Sequence, residues 1–152
     1  MQNRVLAALG AAVSAIAPLA AQDSADGPTP AKPFTASEEA HYLELGKKVN
    51  RWFFEGHADS IAAIADSGAR SRMGDVDGIR QMMDQIAERG GVPLTVLAEK
   101  MTRREGRPQF WYEAEFSNFT AEPLVFRWLF NDQDQLVGAG VGPKSMARAD
   151  GL

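Results

Sequence analysis

The chain has 152 residues, 45% of them apolar, no cysteine and a formal net charge of -4. That length supports one hydrophobic core and is too short for two substantial ones. The missing cysteines exclude disulfide staples, thiolate metal sites and cysteine nucleophiles, and the acidic balance argues against nucleic acid as a partner.

The first stretch, MQNRVLAALGAAVSAIAPLAAQ, places Arg4 ahead of an unbroken apolar and small-residue run from Val5 to Ala17, followed by Pro18 and the small-residue end Leu19, Ala20, Ala21. This pattern predicts a secretory signal peptide over residues 1–21, cut after Ala21. The alternative is a retained membrane anchor, but the run falls short of the roughly 20 residues that span a bilayer. Cleavage implies a bacterial periplasmic or secreted protein with no stable membrane insertion. Arg4 is the one charged residue of that leader, so its removal leaves the mature chain more acidic. Residues 22–34, QDSADGPTPAKPF, carry little to bury and read as a flexible linker. The folded unit is expected over residues 35–143, with 144–152 a frayed tail.

The front half of that unit has helical periodicity. In TASEEAHYLELGKKVNRWFFEG, Thr35 or Ser37 caps a helix with Glu38 and Glu39 in its first turn, and Tyr42, Leu45, Val49, Trp52 and Phe53 share a stripe. A shorter helix is expected in ADSIAAIAD. A third, DVDGIRQMMDQIAERGG, sets Ile79, Met82, Met83 and Ile86 on one face and stops at Gly90 and Gly91.

Beyond Val92 the period changes to two, with strands expected over 94–103, 108–118, 124–130 and 136–142. Each separator is short enough to join antiparallel neighbours. The prediction is therefore an α+β fold: about three N-terminal helices packed on a curved four-stranded antiparallel meander, a cone-like shape.

Register follows from matching apolar to apolar residues. A two-residue turn at Glu105 and Gly106 sets Met101 against Phe110, Glu99 against Tyr112 and Leu97 against Ala114. The next pair is expected to set Phe116 against Phe126, Ala114 against Trp128 and Tyr112 against Phe130. The last sets Phe130 against Leu136, Trp128 against Gly138 and Phe126 against Gly140. That arrangement lays rings over the glycines of VGAGVGP, whose spacing matches neither of the common phosphate-binding loops.

With these elements in place, the stretches WFFEGHAD, IRQMMDQIAERGG, FWYEAEF and FRWLFNDQDQLVGAGVGP, spread over residues 38–143, resemble the nuclear-transport-factor-two-like superfamily. More narrowly, the chain looks like the small bacterial secreted domains of that superfamily. The resemblance implies a cone-shaped α+β fold. It also implies a choice between enzymes such as dehydratases, isomerases and cyclases, which carry a His, Asp or Tyr constellation inside the cone, and non-catalytic binding domains.

The candidate catalytic pair is Glu99 with Tyr112, expected on the helix-covered face beside Phe110, Trp128 and Phe130. A desolvated carboxylate next to a phenol moves protons beside a carbonyl; the competing and preferred reading is a structural hydrogen bond at the rim. Tyr112, Trp128, Phe130 and Phe110 are the expected wall for a small apolar ligand. His41 reads as solvated and His57 as part of a helix start, with Asp59 or Asp66 to orient it. Neither has metal-ligand spacing around it, so no metal or cofactor is expected.

On the outer face, Lys100 is expected opposite Trp111 and Glu115 opposite Arg127. Val96, Ala98, Val125, Leu129, Val137, Ala139 and Val141 beside them form an apolar surface that invites a homodimer, or else a helix or tail covers it. The preferred function is an exported non-catalytic domain binding a small apolar ligand or a protein partner. The alternative is an isomerase or dehydratase using Glu99 and Tyr112.

Overall fold

The structure, a computed structural model, describes residues 32–147; the expected leader, most of the expected linker and the last five residues lie outside them. Helices α1 (Ala36–Phe54), α2 (Ala58–Ile64), α3 (Ser67–Met73) and α4 (Asp75–Gly90) precede strands β1 (Pro93–Arg104), β2 (Arg107–Phe116), β3 (Leu124–Phe130) and β4 (Leu136–Pro143). The strands form one curved antiparallel sheet in sequence order. The fold is the expected α+β arrangement with one more helix.

That extra helix, α3, has no apolar stripe, and Ala69 is its one buried residue. Polar contacts hold it instead. The Asp66 carboxylate accepts from the Ala69 N–H at 2.6 Å, and the Arg70 and Arg72 guanidiniums donate to the carbonyls of Ala65 and Val137 at 3.2 and 2.7 Å. Capping satisfies N–H groups that a helix start leaves unpaired, so a short helix forms where hydrophobic periodicity is silent.

Thr35 caps α1 through a capping box: its hydroxyl accepts from the Glu38 N–H at 3.1 Å, and the Glu38 carboxylate accepts from the Thr35 N–H. The Arg103 guanidinium reaches Glu38 at 2.7 Å and lies 3.9 Å from the Phe34 ring centroid, pinning the entry of the chain to β1. This guanidinium holds the Glu38 carboxyl below the usual carboxylate range. At the other end, Lys144–Met146 form a 3-10 turn, and the Ser145 hydroxyl and N–H both donate to Glu122 at 2.7 Å. The start of the expected frayed tail is thus tied down.

The stripe of α1 packs on the sheet through Tyr42, Gly46, Val49, Asn50 and Phe53. Gly46 is required by contact: a Cβ there would collide with the Phe110 ring. Asn50 is buried and accepts from the Trp128 indole N–H at 3.2 Å. Phe53 and Phe54 pack on Phe126, with Phe116 and Trp128 alongside, so rings occupy the space between helix and sheet. Large flat side chains bury the most apolar area per residue, which suits a domain without covalent crosslinks.

The β1–β2 register agrees with the expectation at Glu99–Tyr112, Lys100–Trp111 and Met101–Phe110. A bulge between Val96 and Ala98 then sets Val96, rather than Leu97, opposite Ala114. The β2–β3 pairing differs: Tyr112 faces Phe126, Phe110 faces Trp128 and Ala114 faces Leu124. Because this displacement is an even number of residues, every ring stays on its expected face. Arg127 consequently faces Trp111, not Glu115.

The β3–β4 pairing corrects a face. Phe130 pairs with Leu136 as expected, but a bulge beside it sets Trp128 against Ala139 and Phe126 against Val141. Gly138, Gly140 and Gly142 therefore oppose Leu129, Arg127 and Val125 on the outer face. The Arg127 guanidinium, not an aromatic ring, lies over Gly140. The extra residue of a bulge inverts every side chain beyond it. Val96, Ala139 and Val141 thus leave the outer face, Val125 and Val137 are buried, and the broad apolar surface expected there shrinks to the half-buried Ala98 and Leu129.

Candidate functional site

Glu99 and Tyr112 are brought together as directly opposed residues. Their surroundings differ. Tyr112 is 5% exposed and packs beneath Phe54, whereas the Glu99 side chain keeps 33% of its surface and lies 3.9 Å from the Lys47 ammonium at the rim. No hydrogen bond joins them among the described residues. Burial, and then the nearby Glu99 charge, raises the Tyr112 phenol above its ordinary value. This phenol therefore holds its proton more tightly than a free tyrosine, and the carboxylate is paired with Lys47 at the edge of the helix layer.

The four expected ligand-wall residues form packed core. Phe110 and Phe130 are fully buried, Trp128 is 2% exposed, and Tyr112 follows them. The interior they enclose is filled by Phe53, Val49 and Phe126, so the cone holds side chains where a ligand was expected.

The histidines stand apart from this wall. His41 meets Asp134 at 2.8 Å, and the neighbouring Tyr42 hydroxyl donates to the Asn131 carbonyl at 3.0 Å; together they clamp α1 to the β3–β4 turn. Burial and the charges of Asp134 and Asp132 raise the Tyr42 phenol. His57 contacts Glu55 at 3.3 Å in place of the expected Asp59 or Asp66, and Asp66 caps α3. No group of three or more metal-ligating side chains exists among the described residues, and no described helix is long and apolar enough to cross a membrane.

The apolar concavity lies at the edge of the core. A cleft of about 400 Å³ runs between the second half of α4 and the ends of β3 and β4, lined by Met82, Ile86, Phe119, Leu124 and Val141 with Arg89 at its side. Ile86 is shared with a smaller cleft of about 200 Å³ floored by Phe53, Phe54 and Met83. Phe119 is shared with a third, of about 350 Å³, bordered by Leu94 and Phe116. Along the same end, Val92, Leu94, Val96 and Leu97 are 62%, 66%, 53% and 47% exposed. The signal for this end was present in the period-two run of β1, but only the bulges and the length of α4 decide that these side chains project past the helix layer.

No family model, curated protein or solved structure matches this chain.

Proposed function

We propose that this is a non-catalytic binding domain of an exported protein, taking a small apolar ligand in the cleft between α4 and the β3–β4 edge. One observation carries the reading: an apolar cleft of about 400 Å³ with a single flanking cation, Arg89, within the range of small-molecule sites. Its Met82 and Ile86 are half-buried. They offer apolar area that a ligand would remove from water, at roughly 25 cal/mol per Å². Arg89 suits a ligand with an anionic end, such as a fatty acid.

The test is titration of the purified protein with a fluorescent fatty-acid probe. Saturable binding that Ile86→Glu abolishes, with folding intact by circular dichroism, supports the cleft. Binding unchanged in that variant removes it.

A second reading, a protein partner, is favoured by exposed Val92 and the exposed Leu94, Val96 and Leu97 that follow it on the edge strand β1. Such a row marks an interaction surface. A homodimer belongs to this reading, and it would bury the β1 row in place of the outer sheet face. The isomerase or dehydratase alternative rests on Glu99 and Tyr112. It is less favoured because Glu99 pairs with Lys47 at the rim and the interior is filled by rings.

A further inference from the structure

The outer face of the sheet has a chemistry that neither the core nor the α4 cleft uses. Trp111 on β2 and Arg127 on β3 are directly opposed there. Trp111 is 4% exposed, yet its indole N–H has no acceptor, and the buried Nε–H of Arg127 has none either. A buried donor without an acceptor costs about 1–3 kcal/mol, so two on opposed residues are a specific expense. Of the three outer-face glycines on β4, Gly142 has open space beside it, Gly138 is met by the Leu129 side chain, and the Arg127 guanidinium lies over Gly140.

The charges around this pair have one sign. Lys100 stands 5.1 Å from the Trp111 ring centroid, and Arg104 and Arg107 oppose each other at the near end of the hairpin. Like charges directly opposed across strands are destabilising. The acidic residue nearest in register, Glu113, is already taken by Lys144 at 2.6 Å. Neither Arg104, Arg107 nor Arg127 forms an ion pair among the described residues. Desolvation, and then the Arg104 charge, lowers the Arg127 pKa from its ordinary value. In a chain of net charge -4, this is a local excess of cation with its donors unused.

We propose that the outer sheet face holds a carboxylate-binding site, in which the Arg127 Nε–H and the Trp111 indole N–H donate to the carboxylate and Lys100 and Arg104 supply the surrounding positive field. A guanidinium edge matches a carboxylate in geometry and charge, and charge-assisted bonds of this kind are about twice as strong as neutral ones. The Lys100 side chain over the indole is exposed and can swing aside to admit the ligand. The site is independent of the apolar cleft, which lies on the opposite side of the sheet.

The test follows the three tryptophan indole resonances of the full chain by NMR, with that of Trp111 identified by its loss in W111F. Glutarate, a Glu-rich peptide and sodium chloride are titrated separately. A carboxylate site predicts a saturable shift of the Trp111 resonance while that of Trp128, already bonded to Asn50, stays in place. Arg127→Lys removes the Nε donor and should weaken binding about tenfold or more. Saturation by glutarate identifies free organic acids as ligands; saturation by the peptide alone identifies an acidic side chain of a protein. Should R127K fail to fold, R104Q at the hairpin end is expected to weaken binding a few-fold. The proposal is overturned if neither carboxylate moves the Trp111 resonance, if chloride moves it equally, or if both variants bind as the parent does.

Discussion

Two tryptophans on opposite faces of one sheet carry opposite accounts. Trp128 faces the helices, where its indole N–H finds the buried Asn50 carbonyl at 3.2 Å and its ring packs on Phe53. Trp111 faces outward, equally buried, with its N–H unanswered and a lysine over its ring. The inner face is a packed core in which the tryptophan has its hydrogen-bond partner. The outer face is one partner short. Stability and binding are thus divided between the two sides, and each can be perturbed without the other.

The largest effect is expected on the inner side. Trp128→Ala deletes a ring in contact with Phe53 and leaves Asn50 buried without its donor. Loss of a core aromatic costs about 3–5 kcal/mol, which urea denaturation would read as a fall in midpoint. A smaller loss would mean that the layer collapses around the gap.

Gly46→Val attacks the same face from the helix. Its Cβ would enter the Phe110 ring, which is fully buried and has nowhere to go. Overpacking of this kind costs about 1–3 kcal/mol. Asn50→Ala should fall in a similar range, because the Trp128 N–H then stays buried and unpaired at about 1–3 kcal/mol. Equal stability of Asn50→Ala and the parent would make the inner tryptophan as unsatisfied as the outer one and erase the contrast.

How much of this division was legible in the sequence depends on what fixed each strand. The β1–β2 register could be read because Glu105 and Gly106 form a two-residue turn, with both residues at positive φ, leaving no freedom in the pairing. The β2–β3 connection is longer, so apolar matching chose among several even registers and kept the face while missing the partner. The glycines of β4 were misplaced because a bulge at Val137 has no sequence mark. Helix α3 was missed since its anchors are Asp66, Arg70 and Arg72, and polar caps leave no periodicity. Asn50 was passed over because a polar residue within an apolar stripe acquires its meaning only from the ring that meets it. The candidate pair Glu99 and Tyr112 was legible as a pair; its setting at the rim beside Lys47 depended on where α1 ends its overlap with β1.

Alkaline pH gives a smaller and more diffuse effect. Burial raises the phenols of both Tyr42 and Tyr112, the only tyrosines of the chain. Below the unfolded tyrosine value, about 10, both rings are neutral in the folded and unfolded states, and their contribution to stability is fully present. As pH rises past that value the unfolded chain ionises first and binds fewer protons than the native one, so stability falls until the native phenols ionise too. A stability profile between neutral and strongly alkaline pH should decline at its upper end, and Y112F should flatten the decline. An unchanged decline would assign the effect to Tyr42 in place of Tyr112.

The smallest change is expected for Trp111→Phe, and it separates the two faces most cleanly. Removing an indole N–H that donates to nothing relieves a desolvated donor, which offsets the apolar area that the smaller ring gives up; the net change should stay within about 1 kcal/mol of the parent. The corresponding Trp128→Phe removes a satisfied donor and strands Asn50, so it should cost about 1–3 kcal/mol. Thermal or urea unfolding of the two variants side by side compares one chemical edit in two settings. If Trp111→Phe proves as costly as its inner counterpart, then the outer indole has an acceptor in solution, and the carboxylate site is already occupied from within the chain.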